Sequence, residues 1–71
     1  MEKLRDFRNG KGLTQDAMAR TMGITLSMYE KVETGRANAS SAFMKRLKKA
    51  FPDASIDAIF FARSNSNNAA V

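Results

Sequence analysis

Apolar residues along this chain recur at intervals of three and four, with no run of strict alternation. That period predicts helices and no strands. Leu4 and Phe7 share one face of a short helix over Glu2 to Asn9. Glu2 suits its start and Arg8 its end, by the sign of the helix dipole. Gly10 and Gly12 are expected to stop it, because glycine readily takes the left-handed conformation at a helix end. Thr14 is the next N-cap, with Asp16 in the first turn and Leu13, Met18 and Met22 as the inward stripe. The small Ala19 leaves room for a second helix to approach. Gly23 ends this helix, and only Gly23 and Ile24 separate it from the next cap, Thr25. So short a connection forces a sharp angle between two helices.

The third helix, about Leu26 to Thr34, is amphipathic. At about 100° per residue, Tyr29 and Val32 point inward. Ser27, Glu30, Lys31 and Thr34 point outward, with Leu26 and Met28 on the flanks and Gly35 as the stop. Arg36 to Ala39 is a loop. Ser40 or Ser41 caps a fourth helix that runs to Ala50, with Phe43, Met44, Leu47 and Phe51 on its buried side. Pro52 prevents continuation. Ser55 caps a short fifth helix in which Ile56, Ile59 and Phe60 align inward. From Arg63 the text RSNSNNAAV is small and polar and reads as a disordered tail. The expected organisation is one all-α domain over residues 1–62 and a tail over 63–71.

Composition narrows the chemistry. A chain of 71 residues buries only about 60% of its unfolded surface, and one core of that size rarely supplies more than roughly 3–5 kcal/mol. There is no Cys and no His, so disulfides, the usual zinc sites and a histidine acid or base are excluded. Ser and Thr lack a base to activate them, and Gly10 and Gly12 do not make a phosphate loop. An enzyme is not expected, nor is any metal or cofactor. Twelve Lys and Arg against seven Asp and Glu give a net charge of +5, which favours a polyanionic partner. No apolar run reaches the roughly 20 residues of a membrane span, and the charged N-terminus lacks an export signal. A cytoplasmic, nucleoid-associated protein is the expectation. The basic run Lys45, Arg46, Lys48 and Lys49 is expected to clothe the solvent face of helix four, and the five Met to fill the core.

The outer side of helix three suits a major groove about 12 Å wide. Lys31 can donate to guanine or phosphate, Glu30 can accept from cytosine, Ser27 can bond to either edge, and Leu26 can touch a thymine methyl. The string LTQDAMARTMGITLSMYEKVETG resembles the helix-turn-helix of the phage repressor and Cro-type regulators, also called the xenobiotic response element family. The matching points are Gln15, Ala19, Gly23, Ile24, Tyr29, Val32 and the ending Glu33-Thr34-Gly35-Arg36, within about residues 4 to 61. The resemblance implies a compact five-helix repressor-like domain with the helix-turn-helix in helices two and three. It implies base contacts from Thr25, Leu26, Ser27, Glu30 and Lys31. It implies phosphate contacts from Gln15, Arg36 and Asn38, and a structural brace between Arg8 and Glu33. Leu26 and Glu30 depart from the basic or amide residues common in relatives, and Ala39 stands where Pro is frequent.

Ile56, Phe60 and Phe61 offer an apolar patch for a twin subunit, as the fifth helix does in relatives. The expected protein is a small dimeric bacterial or phage repressor on a palindromic operator in double-stranded DNA, with a protein partner or anti-repressor as a further contact. The alternative is an antitoxin-like interaction module on the same fold.

Overall fold

The computed structural model describes residues 2–61; the proposed tail, 63–71, lies outside the described residues. Four α-helices and one π-helical turn follow in order, and no strand occurs among the described residues. They are α1 (Glu2–Gly10), α2 (Gln15–Met22), α3 (Leu26–Glu33), α4 (Ser41–Ala50) and α5 (Asp57–Phe61). None of these helices is long and apolar enough to cross a membrane.

Helix α1 runs one residue past its expected end. Gly10 stays helical, and the Lys11 amide still donates to the Phe7 carbonyl at 3.1 Å. The stop comes at Gly12, whose φ of +71° is open to glycine at little steric cost.

Three hydroxyls cap the next three helices as their positions predict. Thr14 accepts from the Ala17 amide at 3.1 Å, Thr25 from Met28 at 3.1 Å and Ser40 from Phe43 at 3.0 Å. Each satisfies one of the orphan amides at a helix start. Ser40, rather than Ser41, is thus the cap of α4.

Two helix ends use the same closing motif. At Gly23, φ is +75°; the Ile24 amide reaches back to Ala19 O at 3.0 Å and Gly23 to Arg20 O at 3.1 Å. At Gly35, φ is +84°; Arg36 reaches Lys31 O at 2.8 Å and Gly35 reaches Val32 O at 3.1 Å. This paired 6→1 and 5→2 pattern is the Schellman motif. It makes Glu33 the last helical residue of α3 and Thr34 its cap.

The core is Leu4, Met18, Ala19, Met22, Tyr29, Val32, Phe43, Leu47, Ala54 and Ile59. Phe7, Leu13, Ile24, Phe51, Ile56 and Phe60 pack around it half-buried. Ala37 and Ala39 also lean on the core, so the loop before α4 is seated rather than free of the body. Rings organise the centre: Phe43 stacks on Tyr29 at 6.2 Å and meets Phe60 edge-on at 6.2 Å. Phe7 meets Phe51 edge-on at 5.6 Å, and the Lys11 ammonium, paired with Asp53, lies 5.4 Å from the Phe7 ring centre.

Two expectations need correction and one gains detail. The fifth helix forms where expected, wound as a π-type turn. A π turn advances less per residue around the axis than an α turn, so the neighbours Ile59 and Phe60 both stay against the core. The basic run on α4 is not all solvent cladding. Arg46 donates to Met22 O and Gly23 O, and Lys48 donates to Ala54 O at 2.9 Å. Of the methionines, Met28 is 46% exposed on α3 and fills no core.

Leu47 is fully buried at the centre of α4's inner face. Leu47→Ala is expected to cost about 2–5 kcal/mol through lost burial and a cavity. Against a total of roughly 3–5 kcal/mol, urea melts followed by far-ultraviolet circular dichroism at 25 °C should show a large fall in the midpoint, with most of the domain's stability lost.

Candidate nucleic-acid interface

Helix α3 presents two unlike sides. Its inner side carries Tyr29 and Val32, both with no exposure, and Glu33 at 6%. A carboxylate that deeply placed must be paired and hydrogen-bonded. Arg8 grips it in a fork, Nε to Oε2 at 2.8 Å and Nη2 to Oε1 at 3.1 Å. The Tyr29 hydroxyl donates to Oε2 at 2.6 Å, and Gln15 Nε2 donates to Oε1 at 2.8 Å. The remaining Arg8 nitrogen, Nη1, donates to Leu13 O at 3.0 Å. One carboxylate therefore joins α1, α2 and α3.

The ionisation of the network follows from these contacts. Burial disfavours the charged carboxylate, but the hydrogen bonds from Arg8, Tyr29 and Gln15 outweigh it and hold Glu33 below its usual value. The hydrogen bond to Glu33 raises the Arg8 guanidinium. Burial, then the hydrogen bond to Glu33, pushes the Tyr29 phenol well above its usual range. At neutral pH the network is a charged pair bridged by a neutral phenol and an amide.

The outer side of α3 is open. Ser27 and Lys31 are exposed, one turn apart and opposite Tyr29 and Val32. Leu26, 38% exposed, and the half-buried Glu30 share one flank, and Met28 lies on the other. Thr25 opens this face. Its hydroxyl oxygen holds the Met28 amide, which leaves its hydroxyl hydrogen to donate. Thr34 turns its hydroxyl back to Glu30 O at 2.7 Å and so offers less to a ligand than its outward position suggests.

Arg36 and Asn38 are exposed on the loop beyond α3. That loop has a fixed start, because the amides of Arg36 and Ala37 both bond to Lys31 O, at 2.8 and 3.0 Å. Gln15, the remaining phosphate-contact candidate, stands at the start of α2. It is half-buried, and its amide nitrogen is directed at Glu33. A primary amide carries two donor hydrogens, so one remains for an acceptor outside the network.

Sequence reading found α3 and its faces but not Arg46, which lies against the carbonyls of Met22 and Gly23 at 3.2 and 3.3 Å. Those residues are separated by more than twenty positions in the chain, and no local pattern marks the pair. The partnership of Tyr29 with Glu33 was legible in principle, since i and i+4 share a helix face. Among the described residues, no group of three or more Asp or Glu is placed to hold a metal ion.

A family model described as "Helix-turn-helix" matches residues 4–59, which takes in most of α1, all of α2, α3 and α4, and the first three residues of α5. No curated protein matches the chain, and no solved structure does.

Removing the Glu33 charge strands Arg8, so Glu33→Gln is expected to cost about 3–5 kcal/mol. The pH dependence follows from the lowered Glu33 value. Its stabilisation is complete above the unfolded carboxylate pKa of about 4.3 and is lost as pH falls through the lower folded value. Urea midpoints should thus hold level between about pH 7 and 5 and drop in more acidic solution. A melt series unchanged down to about pH 2 would contradict the network.

Proposed function

Because the chain belongs to the Cro/repressor-type helix-turn-helix family of DNA-binding regulators, we propose that it is a dimeric repressor that reads the major groove with α3. The observation that carries this reading is the contrast within α3. Its inner side is immobilised by Tyr29, Val32 and Glu33, while its outer side presents the short polar Ser27 and the long cationic Lys31. A groove reader needs both: a fixed support, and donors and acceptors free to meet base edges.

Lys31 donates to guanine or to phosphate, Ser27 to either kind of edge, and Thr25 through its spare hydrogen. Glu30 selects a cytosine amino group and repels phosphate at any other site. Leu26 contacts a thymine methyl. Arg36 and Asn38 grip the phosphates beside the groove, and Gln15 contributes its second amide hydrogen at the start of α2, where the helix dipole favours an anion. The net charge of +5 draws the protein to duplex DNA on the nucleoid and supplies sequence-independent affinity.

Two copies would pair through α5. Phe61 is 57% exposed beside the half-buried Ile56 and Phe60, an apolar ridge suited to a two-fold contact. The twin α3 helices would then enter successive major grooves about 34–36 Å apart, on a palindromic operator. In this reading residues 1–62 form the binding domain, and the polar stretch 63–71 is an appendage to it. The same exposed Phe61 favours a second reading, an interaction module whose partner is another protein or an anti-repressor.

Selection of bound sites from random duplexes tests the choice. A palindromic consensus is the expected result; a folded sample that enriches no sequence would favour the interaction module. Arg36→Ala should weaken binding to every duplex and lower the salt slope by about 0.9. Ser27→Ala and Lys31→Met should change preference at particular base pairs, by about 1–3 kcal/mol each. Equal weakening on all duplexes by all three variants would refute the assignment of base readers. Phe61→Glu should convert a dimer to a monomer in sedimentation velocity and reduce affinity for the palindrome more than for a single half-site.

A further inference from the structure

We propose that Arg46, on α4, is a positioning residue for DNA reading: its guanidinium locks the turn between α2 and α3 and so fixes the angle at which α3 is presented. The inference rests on the DNA-reading role proposed above and adds a residue outside the helix-turn-helix itself. Three observations carry it. First, Arg46 Nη1 donates to both Met22 O and Gly23 O, at 3.2 and 3.3 Å. These carbonyls close α2, where aligned peptide dipoles concentrate negative charge and favour a cation. Second, the guanidinium packs so close that a Cβ added at Gly23 would stand 2.8 Å from Nη1. The φ of +75° favours glycine at position 23, and any Cβ there would push the end of Arg46 off the carbonyls that it holds. Third, the two held carbonyls lie just ahead of Thr25, the cap of α3. A change in their direction is passed within two residues to the axis of the reading helix.

The neighbours sharpen the assignment. Lys49 lines the same recess as Arg46, with Thr21, Met22, Gly23 and Ala50. Lys45 lines the adjoining one. Both are exposed cations on α4. Arg46 differs from them in that its charge is directed at backbone acceptors. One nitrogen, Nη1, reaches both carbonyls, and the planar guanidinium that carries it is more pre-organised than the flexible ammonium of lysine.

The test compares Arg46→Met, Arg46→Lys and the control Lys49→Met in the full chain. The readouts are operator affinity across a salt series, thermal melts and amide hydrogen exchange. Arg46→Met is expected to weaken specific binding roughly 10- to 100-fold at temperatures well below its melt, with an unchanged salt slope. Arg46→Lys should recover part of the loss. Lys49→Met should keep affinity within about fivefold. In the free protein, Arg46→Met should speed exchange of the Ile24 amide, which is bonded to Ala19 O at the turn. Gly23→Ala adds a cycle: part of its penalty should vanish in the Arg46→Met background, where the clash is relieved.

A salt slope reduced by about one in Arg46→Met would make Arg46 a phosphate contact and overturn the proposal. So would full specific affinity in a folded Arg46→Met. If the unaltered chain binds no duplex, the DNA reading itself fails. Exchange at Ile24 then still decides on the clamp, and unchanged exchange refutes it.

Discussion

The Glu33 carboxylate is the contact on which the rest of the fold leans. Hydrogen bonds from Arg8, Gln15 and Tyr29 reach its two oxygens. A buried charge left half-satisfied would destabilise so small a domain more than an apolar replacement would. Fully satisfied, it ties three helices in one register. Tyr29 extends the effect, because its ring stacks on Phe43, which in turn meets Phe60. A single side chain thus links the polar tie to the apolar core, and through it to the last turn of the described chain.

Helix α3 is defined by its boundaries as much as by its faces. A Schellman closure precedes it at Gly23 and another follows it at Gly35. Thr25 caps its start. Arg46 holds the turn ahead of it from a different helix. An eight-residue helix has little stability of its own in water. These terminal contacts and the buried side supply what its length cannot, and they leave the outer side unencumbered.

Much of this was legible in sequence, because it depends on near neighbours. Capping hydroxyls act three residues ahead, helix faces repeat every three or four positions, and glycine marks each left-handed turn. Thr14, Thr25 and Ser40, the buried Tyr29 and Val32, and the turns at Gly23 and Gly35 all follow from such rules. What escaped depends on distance or on competing fits. Arg46 meets the turn across more than twenty residues, and Lys48 folds back on Ala54. Ala54 itself is fully buried although its methyl leaves no periodic signature. Gly10 continues α1 because the backbone ladder still closes beyond it. The fifth element winds as a π turn, which keeps the adjacent Ile59 and Phe60 both against the core. For the candidate interface, resemblance carried the residue roles, and the geometry adds where each donor points. Gln15 gained most from that addition, since its amide nitrogen faces Glu33.

The outer face of α3 has a consequence for how this protein can diversify. Leu26, Ser27 and Lys31 are exposed, and no cap, closure or core contact depends on the side chains of Ser27 and Lys31. Substitutions at exposed positions of that kind usually change stability by no more than about 0.5 kcal/mol. Under the proposed DNA-reading role, the lineage could therefore explore new operator preferences without threatening the fold, whereas Glu33, Gly23 and Tyr29 leave almost no such latitude. Duplicated copies could part in what they recognise while remaining interchangeable in how they fold. In such a descent, the scaffold is inherited and the reading surface is left free to drift.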